Sequence, residues 1–214
     1  MKQDFKVNDP FLKQINEKFP LLKKQIIFYF VSPAGRNSSY FCVPYRMIHD
    51  MMLRYGILCK TENGEDFFIP VQQAFLENWN MKEEELYLLA ADNTPTLLPV
   101  YLRPINEVLR DFLSENEVGV MDEEVYVLTN VRGYLGAAAL LYKDVLRSFS
   151  EKLGTDFYIL PSSIHEVILL PVRGQKKELL QYMVEEINKK EVANTDMLSN
   201  TVYKYERKLD RIIE

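Results

Sequence analysis

The apolar positions cluster most densely between Gly154 and Val172, where Tyr158, Ile159 and Leu160 are separated from Val167, Ile168, Leu169 and Leu170 by the turn-forming residues Pro161, Ser162 and Ser163. Short continuous runs of this kind, rich in β-branched and aromatic residues and bounded by Pro and Gly, predict buried strands. Side chains alternate faces along a strand, so Ile164, Glu166, Ile168 and Leu170 share one side and His165, Val167 and Leu169 the other. Both sides are apolar. The pair is therefore expected at the centre of a sheet with helices packed against it.

Towards the N-terminus the pattern alternates between helical and extended. Asp9-Pro10 reads as an N-cap and first helical position, followed by Phe11, Leu12, Ile15 and Phe19 at helical spacing. A second helix is predicted from Leu21 to Val31, ended by Ser32-Pro33-Ala34-Gly35 and a polar loop to Ser39. Tyr45 to Cys59 reads as a strand, Glu62-Asn63-Gly64-Glu65 as a hairpin turn and Phe67 to Ile69 as the returning strand. Pro70 is expected to open a helix through Trp79. Lys82 to Asn93 gives another, with Leu86, Leu89 and Ala90 on one stripe and Pro95 ending it. An extended piece at Leu97 to Leu102 is confined to a sheet edge by Pro99, and Pro104 starts a helix with Val108, Leu109 and Phe112 inward.

The acidic, Gly-containing run Ser114 to Glu124 marks an internal boundary between two lobes of one domain, residues 1–116 and 117–214. In the second lobe a strand at Val125 to Thr129, a turn at Asn130-Val131-Arg132-Gly133 and a return through Tyr134 to Ala138 precede a helix from Lys143 to Leu153, with Gly154 as its C′ residue. After the central hairpin, a helix from Lys176 to Lys190 is expected to bury Leu179, Leu180, Met183, Val184 and Ile187. Thr201 to Tyr205 reads as a last strand of the sheet, before a charged tail that is frayed or helical. Strand, turn, strand and helix recur at Tyr55 to Trp79 and Val125 to Leu153, a faint internal repeat. The fold class is α+β: antiparallel hairpins form a mainly antiparallel sheet covered by helices.

Composition narrows the function classes. With 47% hydrophobic and 27% charged residues the chain is globular rather than disordered. A net charge of -5 argues against general binding of nucleic-acid phosphates or anionic lipid, which need a cationic surface. Charges interrupt the N-terminal MKQDFKVNDPFLKQ where a signal peptide needs an apolar core, and no run reaches the about eighteen apolar residues of a membrane span. The chain is therefore expected in the cytoplasm, without a membrane partner. Cys42 and Cys59 are then free thiols, too few for a disulfide framework or a cysteine zinc site.

Candidate chemistry centres on a few polar residues. Ser162 or Ser163 with His165 and Glu166 offers a nucleophile, a base and an orienting acid. Alternation along the strand sends His165 and Glu166 to opposite faces, and no Gly-x-Ser-x-Gly elbow surrounds the serines, so turn chemistry is the favoured reading. His49-Asp50 and His165-Glu166 are the only neighbouring His and carboxylate pairs; a metal site would have to join them across the fold, and none is expected. No phosphate loop or dinucleotide fingerprint is present, so no cofactor is expected either. Glu166, if buried, needs a partner such as Arg46, Arg103, Arg132 or Lys143. With Arg46 and Asn93 it forms a possible polar pocket, weighed against a role for such groups as structural ties. Lys204, Arg207, Lys208 and Arg211 alternate with Glu206 and Asp210, which favours a solvated face over a nucleic-acid surface.

Several segments carry a resemblance in order. They are Asn93-Thr94-Pro95 with Pro99, Gly136-Ala137-Ala138 before Leu141-Tyr142, Leu160-Pro161-Ser162-Ser163 with His165-Glu166, and Asn188 with Glu191-Val192, Leu198-Ser199 and Val202-Tyr203-x-Tyr205. From about Leu21 to Tyr205 the chain resembles an uncharacterised bacterial family, a domain of unknown function found largely in gram-positive gut bacteria. It departs from that family in carrying Asn200 where Asp follows Leu-Ser. The resemblance implies no activity. The sequence therefore favours a non-catalytic cytoplasmic module that binds a protein or small molecule; the alternative is a hydrolase-like or metal-dependent enzyme using His165, Glu166, Asp50 and Ser162.

Overall fold

The computed structural model describes residues 10–33, 43–61, 63–64, 66–110, 124–161 and 163–214. Asp9, the loop to Ser39, Phe112, Cys42, Ser162 and most of the acidic boundary run lie outside them. The chain forms two compact units, Met1–Leu97 and Leu98–Glu214. Among the described residues no helix is long and apolar enough to cross a membrane.

The first unit comprises α1 (Pro10–Glu17), α2 (Phe19–Leu22), β1 (Ile26–Val31), β2 (Tyr45–Ile48), β3 (Met51–Lys60), β4 (Asp66–Pro70), α3 (Gln73–Trp79) and α4 (Glu83–Leu97). The long strand β3 organises its antiparallel sheet. β1 pairs along one edge, from Ile26 opposite Ile57 to Val31 opposite Met52, while β2 and β4 follow one another along the other. The helix expected over Leu21 to Val31 is therefore mostly strand: six consecutive β-branched or aromatic residues, Ile26 to Val31, suit a pleated buried surface better than a helix. The strand expected from Tyr45 to Cys59 is broken at His49-Asp50, where His49 takes a φ of 53° and turns β2 back onto β3. The Asn63-Gly64 turn joins β3 to β4 as expected, with Gly64 at φ 83°. Pro70 ends β4 rather than opening a helix.

Helix α4 covers β1 through polar as well as apolar contacts. Ile26 and Phe28 stand two apart on β1, so their backbone groups point the same way, outward from the sheet. Asn93 Nδ2 donates to Ile26 O at 3.0 Å and to Lys23 O at 2.7 Å, and Phe28 N donates to Thr94 Oγ1 at 3.1 Å. Pro95 does not end the helix, which runs to Leu97. The Thr94 hydroxyl also donates to Ala90 O at 2.5 Å, one turn back along the helix.

The second unit comprises β5 (Val100–Pro104), α5 (Ile105–Arg110), β6 (Tyr126–Asn130), a 3-10 segment (Gly136–Leu141), α6 (Val145–Leu153), β7 (Phe157–Leu160), β8 (Val167–Pro171), α7 (Lys177–Glu191), β9 (Tyr203–Glu206) and β10 (Arg211–Ile213). Its six strands run β10-β9-β7-β8-β6-β5, antiparallel throughout, with the predicted central hairpin β7–β8 in the interior. β5, expected at an edge, lies there. The charged tail is neither frayed nor helical: β10 pairs with β9.

Cross-strand register sorts the two faces. Leu128, Val167, Leu169, Phe157 and Ile159 share the face covered by α6, where Phe149 meets Phe157 and Tyr126 edge-on at 5.1 and 4.9 Å. Tyr158 and Leu170 face the other way and pack with Leu180 and Val184 of α7 and with Val202. Of the residues expected inward on α7, Leu179, Met183 and Ile187 are exposed, because the helix turns Leu180, Val184 and Asn188 to the sheet. The hairpin expected at Val125 to Ala138 does not form. β6 pairs with β5 and β8 instead, and the Ala-rich return folds as the 3-10 segment, which removes the faint repeat.

Candidate functional site

The segments flanking the central hairpin meet at one junction. Ile164 N donates to Asp196 O at 2.8 Å, Ser199 N to Pro161 O at 3.0 Å, and Ala137 N to Ile164 O at 3.2 Å. Buried Asn130 shapes the approach: its Oδ1 accepts from Arg132 N at 2.9 Å and its Nδ2 donates to Tyr134 O at 2.9 Å, a local turn that Asn side chains form readily. Leu135 then adopts a left-handed backbone, φ 53°. At Gly136 a Cβ would lie 2.0 Å from Thr129 Oγ1 and 2.6 Å from both Asn130 N and His165 O. Only glycine fits there.

His165 sits inside this junction, in the bend before β8 rather than in the strand. Its Nδ1 accepts from Leu135 N at 3.2 Å, its backbone N donates to Ser163 Oγ at 3.0 Å, and its carbonyl accepts from Thr129 Oγ1 at 2.8 Å. The ring is 5.0 Å from that of Tyr134, and Nε2 stands 3.9 Å from Asp196 Oδ2. A ring nitrogen that accepts from a backbone amide must carry its lone pair, so the geometry assigns the hydrogen of the neutral imidazole to Nε2. That edge is a donor, directed at a carboxylate.

Of the other sequence-derived candidates, Arg46, Asp50 and Asn93 belong to the first unit and Ser163 and Glu166 to the second. Ser162 lies outside the described residues, and Ser163 Oγ accepts from the His165 amide. Glu166 is half-buried just before β8, outside the buried strand expected for it, so the need for a buried counter-charge lapses. Asp50 stands exposed in the β2–β3 turn of the first unit. Arg46 binds Glu83 in bidentate fashion, Nε to Oε1 at 3.0 Å and Nη2 to Oε2 at 2.7 Å, and lies 4.1 Å above the Tyr87 ring. Buried Tyr55 donates to the same carboxylate; burial, then that hydrogen bond, pushes its phenol far above the ordinary range. Asn93 lies ten residues along α4 from Glu83, about 15 Å at 1.5 Å per residue, and is occupied with backbone carbonyls. Among the described residues no three His, Cys, Asp or Glu side chains assemble as metal ligands.

A cleft that the sequence did not announce opens in the second unit between β5 and α6. Its volume is about 610 Å³, within the usual range for ligand pockets. Leu102, Tyr126, Val145 and Phe149 give it an apolar lining, and Lys143 and Lys152 stand on the α6 side. Glu107 and Asp144 also line it, the latter 3.9 Å from Arg147. These residues come from four elements, β5, α5, β6 and α6, and share no sequence spacing that would have announced them. The partnership of Tyr134 and Asp196 with His165 likewise had no local signal.

The family model of a family of unknown function, DUF5688, matches residues 3–207, and the chain belongs to that family. No curated protein and no solved structure matches it.

Proposed function

We propose that this DUF5688 chain is a non-catalytic binding module whose ligand or protein partner occupies the cleft between β5 and α6. The observation that carries the reading is the bond from Leu135 N to His165 Nδ1. It occupies the lone pair a general base would need, and the remaining ring nitrogen carries hydrogen. Arg46 and Asn93 are similarly committed, to Glu83 and to backbone carbonyls. The cleft, by contrast, combines an apolar lining with flanking charges, the usual composition of a binding site. We further propose a bacterial cytoplasmic setting. Cys59 is a free thiol, the state that a reducing compartment maintains.

The test couples binding with turnover. The natively purified protein is analysed by native mass spectrometry for a retained ligand, and amide spectra are recorded as small-molecule and peptide mixtures are added. Shifts concentrated at Leu102, Tyr126, Val145 and Phe149 are expected. Hydrolysis of chromogenic esters or phosphates that disappears in His165→Ala overturns the reading.

A further inference from the structure

Resting on that reading, we infer that the occupant of the cleft is an extended acidic peptide that adds a strand to the outer edge of β5. β5 is the last strand of its sheet, paired on one side only among the described residues. The ladder with β6 fixes which backbone groups are left over. Val131 N donates to Pro99 O at 2.9 Å and Ile105 N to Val125 O at 2.8 Å, so the odd-numbered residues of this stretch turn their backbones towards β6. Val100 and Leu102 therefore direct both N–H and C=O outward. So does the carbonyl of Pro104, whose missing N–H breaks the edge at that point. The next outward carbonyl on the other side, Leu98 O, already accepts from Tyr142 Oη at 2.8 Å. The open edge is thus short and bounded at both ends, with two donors and three acceptors at the spacing of an added strand.

The same parity points the side chains of Val100, Leu102 and Pro104 onto the face that carries Tyr126, into the cleft beneath α6. Alternate side chains of an added strand would enter that apolar space. From Val145 to Lys152 α6 rises about 10 Å, the length of about three extended residues. Lys143 and Lys152 border this span. Neither has a carboxylate partner among the described residues. Arg103 also borders the cleft, its guanidinium 4.4 Å above the Tyr101 ring, so a third cation stands beside the two lysines. Two carboxylates, Glu107 and Asp144, also line the cleft, and Arg147 stands 3.9 Å from the second; the excess of positive charge favours acidic side chains on the peptide.

The test uses the full chain and two fluorescein-labelled peptides, one alternating Asp with Leu and one alternating Lys with Leu. Anisotropy is measured alongside amide hydrogen exchange. Expected are preferential binding of the acidic peptide, about tenfold or greater weakening in the Lys143→Glu/Lys152→Glu double variant, and slowed exchange at Val100 and Leu102. Equal binding of both peptides overturns the inference, as does binding that leaves those two amides unprotected, or protection already present in the free chain. Ligand-induced shifts in the cleft without edge protection sink the peptide inference alone and leave the binding-module reading standing. Turnover lost in His165→Ala sinks both.

Discussion

Arg46 and the fully buried Tyr55, on adjacent strands, both bind the Glu83 carboxylate at the first turn of α4. One helix residue thus fastens α4 to two strands. Replacing Glu83 by Ala leaves a buried phenol unpaired, at a cost of about 1–3 kcal/mol, and frees the partly exposed Arg46 guanidinium to water, at a smaller one. Urea unfolding of Glu83→Ala, Arg46→Met and the double variant should give non-additive losses, since the groups act as one network. Additive losses would mean that the pairs are independent.

Thr94 is expected to matter through its oxygen rather than its shape. Thr94→Val keeps the volume but leaves Phe28 N–H without its acceptor, costing about 1–3 kcal/mol, whereas Thr94→Ser should stay within about 1 kcal/mol of the parent. Amide exchange at Phe28 should accelerate in the Val variant only. Unchanged exchange there would refute the edge-capping role of α4.

Gly136→Ala places a methyl 2.0 Å from Thr129 Oγ1 and 2.6 Å from two backbone atoms, so relief requires main-chain movement. A loss above about 4 kcal/mol, or failure to accumulate folded protein, is expected. Gly133→Asn is the control: its backbone is also left-handed, but nothing stands within 4 Å of the added carbon. Thermal unfolding of the control should resemble that of the parent.

Asp156 links pH to the stability of the second unit. A hydrogen bond from Lys204 at 2.8 Å, helped by the Arg207 amide at 3.0 Å, holds its carboxyl below the ordinary value of 3.8. The folded state therefore binds that proton less readily than the unfolded chain. The stabilisation is present above 3.8 and is lost as pH falls from there through the depressed folded value. Urea midpoints of Asp156→Asn should fall less steeply than those of the parent across that interval. Parallel curves would remove Asp156 from the acid response.

The imidazole of His165 should be observed as the Nε2–H tautomer, because Nδ1 is the acceptor of the Leu135 amide. Nitrogen chemical shifts of the ring distinguish the tautomers directly. A hydrogen on Nδ1 would reopen the catalytic reading.

By itself the sequence determined the elements whose cause is local. The apolar runs around Pro161, the Asn63-Gly64 turn and Gly154 as a left-handed C-cap each depend on neighbouring residues, and the structure places them as read. Tertiary pairing decided the rest. Pairing with β3 fixed the register of Ile26 to Val31, whose residue types already suited a pleated strand, and the stretch after Gly133 folds as a 3-10 segment while β6 pairs with β5 and β8. The tie between Leu135 and His165 and the cleft between β5 and α6 join residues far apart in the chain. Local pattern carries no register between such segments; backbone pairing across the sheet, side-chain hydrogen bonds and the packing of helices on the sheet bring them together.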